Sequence, residues 1–236
     1  MSELNPIKLP EVSCILPFYN ESRHVVQVLE ELVKLPCLRQ IICVDDGSTD
    51  DSVAKIIEHF PHLPQLQLIK LDKNVGKTDA VKTGLAQAKF ETILLFDADL
   101  EHLRAEEVQA SYQFFIDHQL DMLILGRTCP NPILRASRVE IVISGDRWLK
   151  KTDLETIFAS FTFKRFALEA VINYYMQHQH KKLGWYQTTA QNTFKHRKYG
   201  FIEGLILSVK EAIEIFANNY NLFWQLISFR PPQIKN

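Results

Sequence analysis

The sequence has almost no net charge to offer a partner: 27 Lys plus Arg stand against 28 Asp plus Glu in 236 residues, a formal −1. That balance excludes a basic nucleic-acid binder, an acidic tail and a polybasic membrane anchor. No uninterrupted apolar run approaches the roughly 18–20 residues that span a bilayer. The start, Met1-Ser2-Glu3-Leu4-Asn5-Pro6, lacks the basic and apolar stretches of a secretory signal. Cysteine is scarce as well. Cys14, Cys37, Cys43 and Cys129 show no CxxC spacing, and two of them fall in apolar strand-like runs. Buried reduced thiols in a cytoplasmic protein account for them better than disulfides or zinc. Internal repeats and low-complexity tracts are missing too. What remains, at 46% hydrophobic and 11% aromatic, is a globular chain long enough for one large domain or a domain with a subdomain.

The first half alternates short apolar runs with helical patterns. Val12–Pro17, Ile41–Val44, Leu66–Leu71, Thr92–Phe96 and Met122–Leu125 read as strands, and helices are expected over 21–34, 51–59, 77–89 and 104–118. Strands that are apolar throughout, separated by helices, predict an α/β fold with a mostly parallel, Rossmann-like central sheet covered on both faces. Ligands of such sheets bind beyond the carboxyl ends of the strands. The second half is less regular. Residues 130–150 read as loop-rich with a basic cluster at 147–151, a helix is expected over 164–179, and 183–189 and 192–195 could be short strands. Helical patterns over 201–218 and 222–229 predict a C-terminal helical extension across 201–236.

Polar residues gather where those strands end: Pro17-Phe-Tyr-Asn-Glu21, Asp45-Asp-Gly-Ser-Thr-Asp50, Asn74-Val-Gly-Lys77 and Asp97-Ala-Asp99. Two carboxylates as close as Asp97 and Asp99 repel unless something positive compensates, and a hard divalent cation, Mg²⁺ or Mn²⁺, would do so. The alternative for Asp99 is a helix cap. Lys77 follows a glycine at a helix start, where backbone N–H groups, the dipole and an ammonium favour phosphate; the alternative is a solvated surface lysine. No P-loop is present. Asp45 and Asp46 could read a nucleobase or ribose, or could serve turn chemistry alone.

The ordered set LPFYNE, VDDGSTD, NVGK and FDAD, over about ninety residues, resembles the nucleotide-sugar domain of family 2 glycosyltransferases, which have the GT-A fold. The resemblance covers roughly 10–130. It implies a GT-A domain over 1–200, with 10–125 as the donor half and 126–200 as the acceptor half. It also implies a metal-dependent transferase, a hexosyltransferase by type, that uses a UDP- or GDP-linked sugar. In the donor site it places Pro17, Tyr19 and Glu21 from the first motif. Asp45 or Asp46 would lie at the base, Asp97 on the ribose side, Asp99 at the metal and Lys77 near the phosphates.

Farther on, Ile143–Lys151, Phe166–Ala170 and Thr193–Lys198 resemble segments of soluble glucosyl-3-phosphoglycerate synthase-like enzymes. That likeness implies acceptor contacts at Ser144, Gly145 and Arg147, a catalytic Glu169 that could equally anchor a structural salt bridge, and His196 as a second metal ligand, the alternative being a surface histidine. Asp146 stands where an inverting transferase would need its base; otherwise it pairs with Arg147 or a backbone N–H. The acceptor would be a small molecule or lipid-linked. The apolar C-terminal segment is accounted for by burial, by a homodimer mate, or by peripheral contact with the cytoplasmic face of a membrane. Two other functions remain open: a non-catalytic nucleotide-sugar binder, and a polyprenyl-phosphate glycosyltransferase without transmembrane helices. Net charge by halves adds one more expectation. Residues 1–125 carry 11 basic and 20 acidic side chains and residues 126–236 carry 16 and 8. The basic excess, including Arg127, Arg135, Arg138, Arg147, Lys150, Lys151, Lys195, Arg197 and Lys198, is expected near an anionic acceptor, with a solvated basic face as the alternative.

Overall fold

The computed structural model describes residues 10–126, 144–161 and 168–192. Through the donor half the chain runs β1 (Val12–Phe18), α1 (Val25–Leu32), β2 (Leu38–Asp45), α2 (Ser52–His59), β3 (Leu66–Lys70), α3 (Lys77–Gln87), β4 (Thr92–Leu95), β5 (Leu100–Glu101), α4 (Ala105–Asp117) and β6 (Met122–Gly126). Then come β7 (Arg147–Lys150), α5 (Lys151–Ser160), α6 (Leu168–His178), β8 (Leu183–Gln187) and β9 (Gln191–Asn192). The strands and helices expected up to residue 125 all form. The helical extension at 201–236 and the residues beyond 192, His196 among them, lie outside the described residues.

A seven-stranded sheet has the order β3-β2-β1-β4-β7-β6-β8, and β5 pairs with β9 apart from it. β1 lies parallel to both β2 and β4; β2 and β3 follow on one side of it and the chain then crosses from β3 to β4 on the other, so the winding reverses at β1. That reversal opens a crevice at the carboxyl ends of β1 and β4, where ligands of open α/β sheets bind. Residue alternation sends each strand's side chains to two cores. Cys14, Leu16, Cys43, Leu94 and Leu123 pack with α1, α2 and α4 on one face, whereas Ile15, Ile42, Val44, Ile93 and Ile124 pack with α3, α5 and α6 on the other. Helices therefore cover both faces. Cys14, Cys37 and Cys43 are buried free thiols, and burial pushes the Cys37 thiol up to about 12.

Two expectations for 147–160 are corrected. Arg147–Lys150 is not loop but a central strand, antiparallel to both β4 and β6. Trp148 anchors it: the indole is fully buried, lies 4.7 Å from the Tyr112 ring and donates to Ser111 Oγ at 2.8 Å. Because β7 runs backwards, Arg147 pairs with Leu95 at the crevice end and Lys150 with Thr92 at the far end. Lys150 and Lys151 are thus not beside the crevice, and the basic cluster is divided between the two ends of the sheet. The helix α5, not anticipated, follows β7 and buries Leu154 and Ile157 in the core shared with α3 and α6.

Candidate active site at the carboxyl ends of the strands

The loops after β1 and β2 are sewn together by their own polar side chains. Asn20 has a positive φ of 55°, which asparagine tolerates. Its Oδ1 accepts from Thr49 N at 2.8 Å and Asp50 N at 3.3 Å, while its own N–H donates to Ser48 Oγ at 2.9 Å. Glu21 N donates to Ser52 Oγ at 2.8 Å and Ser22 N to Asp50 Oδ2 at 3.1 Å. The Glu21 carboxylate pairs with His24 at 3.6 Å, and His24 reaches on to Glu101 at 3.6 Å. Gly47, at φ 74°, passes so close to the Lys73 backbone that a Cβ would sit 2.6 Å from its carbonyl carbon. Only glycine fits that turn.

The paired aspartates divide their work. Asp45 Oδ1 accepts from Ser48 N at 2.8 Å and so closes its own turn. Asp46, also buried, accepts from Val75 N at 2.7 Å and Gly76 N at 2.9 Å. This grip fixes the chain as it enters α3 and aims Lys77.

Lys77 is the hub of the crevice. Its Nζ lies 2.6 Å from Asp97 Oδ1, beyond β4, and 2.7 Å from Glu169 Oε1, in the first turn of α6. Burial alone would lower the ammonium's pKa, but attraction to Asp97 and Glu169 outweighs it and holds the pKa above the ordinary lysine value. Asp146 Oδ1 accepts from Asp97 N at 2.8 Å, which orients the end of β4. Gly145 lies flat on the pair, where a Cβ would fall 2.6 Å from Asp97 Oδ1 and closer still to Lys77 Nζ. Arg147 and Ser144 support this turn from behind. Both are buried; Ser144 Oγ donates to Leu125 O at 2.8 Å, and Arg147 donates to Ser144 O and, at 3.1 Å, to Asn173 Oδ1.

Of the residues expected from sequence, the structure brings Pro17, Lys77, Asp97, Gly145, Arg147 and Glu169 into one cleft. Asp99 is partly exposed and immediately precedes β5. Tyr19, Glu21, Asp45 and Asp46 sit on or beside the two sewn loops, on the β2 side. Among the described residues no three His, Cys, Asp or Glu side chains are grouped to hold a metal. Asn173 was not anticipated from the sequence. Its only signal was spacing, four residues beyond Glu169 and hence on the same helical face.

A family model described as glycosyl transferase family 2 matches residues 13–172. An uncharacterized glycosyltransferase of Synechocystis is 33% identical over 95 residues, 39% of this chain and 30% of the relative. The undecaprenyl-phosphate 4-deoxy-4-formamido-L-arabinose transferase of Proteus mirabilis is 35% identical over 101 residues, 40% of this chain and 31% of the relative. The chain thus spans less than a third of the length of either. Among solved structures, glucosyl-3-phosphoglycerate synthase from Mycobacterium tuberculosis, in complex with Mn²⁺, UDP and glucosyl-3-phosphoglycerate, superposes with a TM-score of 0.70 at 16% identity. That alignment covers 89% of this chain and 78% of the other. TarS 1–349 from S. aureus, in complex with UDP, gives 0.57 at 21% identity, over 70% of this chain and 54% of the other. Both share the fold.

Proposed function

The chain belongs to glycosyl transferase family 2, and on that premise we propose that it moves a sugar from a nucleoside-diphosphate sugar, UDP- or GDP-linked, to a phosphorylated acceptor. The observation that carries this reading is the cluster at the β1–β4 crevice, where Lys77, Asp97 and Glu169 meet within 2.7 Å contacts. An ammonium at a helix N-terminus suits a diphosphate, and a carboxylate across from it suits sugar hydroxyls. Asp45 and the Asp46-held loop would receive the base, with Tyr19 and Pro17 beside it, and Asp97 would face the ribose side. Glu169 would face the donor sugar and the acceptor. Ser144 and Arg147 would shape the acceptor side from behind while Gly145 lines it.

A divalent cation, Mg²⁺ or Mn²⁺, would be held through Asp99, a hard oxygen donor of the kind such ions take. Asp99 is a partly exposed carboxylate at the strand end, and Leu100, its neighbour, pairs with Asn192. Such a cation, when bound, would supply Lewis-acid stabilisation of the departing nucleoside diphosphate. The phosphorylated acceptor is supported by the undecaprenyl-phosphate and dolichyl-phosphate named for two relatives. The glucosyl-3-phosphoglycerate of a fold neighbour points the same way. A lipid-linked acceptor would not require membrane crossing by the described residues, none of whose helices is long and apolar enough to span a bilayer.

The test is turnover of UDP- and GDP-sugars with Mn²⁺ against a panel of phosphorylated, carboxylated and neutral acceptors, comparing wild type with Asp99→Ala. Transfer by wild type and its loss in the variant are expected. Binding without turnover would favour a nucleotide-sugar binder, and full turnover by Asp99→Ala would remove the assigned metal role.

A further inference from the structure

Arg147 is an expensive residue to place where it lies. It is wholly buried on a central strand, and its Nε has no hydrogen-bond partner. Burying a guanidinium with a donor left over costs stability that an apolar side chain of similar volume would not. Packing alone therefore does not explain it. Its two terminal nitrogens, however, reach two different parts of the cleft. One donates to Ser144 O, in the turn that carries Gly145 and Asp146, and the other donates to Asn173 Oδ1 at 3.1 Å on α6. Asn173 is itself fully buried and stands one helical turn beyond Glu169. The guanidinium thus joins the wall that presses on Lys77 and Asp97 to the helix that presents Glu169.

We infer that Arg147, together with Asn173, is a positioning residue for the transfer reaction: the planar fork sets the distance between the Gly145–Asp146 turn and Glu169, so that both close on the Lys77–Asp97 pair. This rests on the proposed glycosyl transfer for its kinetic consequence but not for its structural one. In this role the guanidinium acts through the Gly145–Asp146 turn and Glu169 rather than on donor or acceptor directly. Its loss misplaces Glu169 relative to the reacting centre and leaves the base and phosphate contacts intact. A planar, two-armed donor is needed, because a lysine ammonium cannot present two diverging donors in fixed geometry.

The experiment uses the full chain and compares Asn173→Leu with Asn173→Asp, which keeps an acceptor oxygen for Arg147. With UDP-glucose and Mn²⁺, or whichever nucleotide sugar the wild type turns over, Asn173→Leu lowers kcat about 10- to 100-fold and leaves the donor KM within about twofold. Asn173→Asp restores most of kcat. Rates are referred to the folded fraction measured by thermal unfolding. Should Asn173→Leu fail to fold, Arg147→Lys carries the same expectation, since it keeps the charge and loses the fork. Unchanged kcat, a loss appearing only in KM, or equal damage from the leucine and aspartate variants would overturn the proposal. If the wild type transfers no sugar at all, the functional reading fails separately, and hydrogen exchange still decides the brace. Amides at 168–171 and 145–147 then exchange about 10-fold faster in Asn173→Leu while those of α3 hold; unaltered exchange there would sink it.

Discussion

Asp46 holds the entrance of helix α3 with both carboxylate oxygens, accepting the Val75 N–H at 2.7 Å and the Gly76 N–H at 2.9 Å. Gly76, at φ 100°, caps that helix, and Lys77 is its first residue. A side chain on one motif thus aims the ammonium of another. Asp46→Asn would keep one acceptor and turn an amide N–H₂ toward a backbone N–H. We expect a loss of about 1–3 kcal/mol from the unsatisfied buried donor, read by urea denaturation. Nucleotide affinity should weaken too, measured by titration calorimetry with UDP and Mn²⁺. Unchanged stability would show that the loop does not depend on this grip.

Lys77 gives a pH signature with a defined sign. Its folded-state pKa is held above the ordinary value, because attraction to Asp97 and Glu169 outweighs burial. The ammonium's contribution is then fully present below its unfolded pKa, about 10.4, and fades as pH climbs through the higher folded value. The stability difference between wild type and Lys77→Met should therefore be level from pH 7 to about 10 and shrink above that. Denaturant unfolding between pH 7 and 12 checks it. A difference that grows with alkalinity would place the ammonium elsewhere.

Asp146 separates two chemistries. Its Oδ1 accepts the Asp97 N–H at 2.8 Å, and the residue is 2% exposed. A support needs only that acceptor oxygen, which asparagine retains. Asp146→Asn should keep turnover within about tenfold, whereas removing a general base would cost about 10²–10⁴-fold. Asp146→Ala, which leaves the Asp97 N–H unmet, should lose more than Asp146→Asn. Steady-state kcat for the three proteins decides between support and base.

The donor half was legible in sequence because β1, β2 and β4 are apolar enough to be read as buried on both faces, and because the motifs fall where those strands end. Residue type did not separate ligand-facing groups from stitching. Asn20, Ser48, Asp50 and Ser52 look like pocket residues, yet their bonds run to neighbouring loop backbone or to one another. β7 was illegible for a different reason. Half of Arg147-Trp-Leu-Lys is charged, and what makes it a central strand is supplied from elsewhere: Asn173 for the guanidinium and Ser111 for the indole. Gly145 carries no special φ; its need for glycine comes from Lys77 and Asp97, distant in sequence.

The reversed strand also takes two lysines out of the basic excess expected near an anionic acceptor. Adjacency in sequence groups Lys150 and Lys151 with Arg147 beside an anionic acceptor, but they stand at the opposite end of the sheet. Lys150 Nζ pairs with Asp121 at 2.5 Å, and Lys151 Nζ donates to Ala88 O at 2.9 Å. These are exposed or partly exposed contacts among surface groups, each worth about 1 kcal/mol or less. Replacing both lysines with alanine should therefore leave the acceptor KM within about twofold, since a charge a sheet's length from the crevice is largely screened at physiological salt. The salt dependence of that KM should be equally unmoved. A marked rise in KM for a phosphorylated acceptor would mean that the acceptor extends around the sheet to its far end, as a long lipid-linked one could.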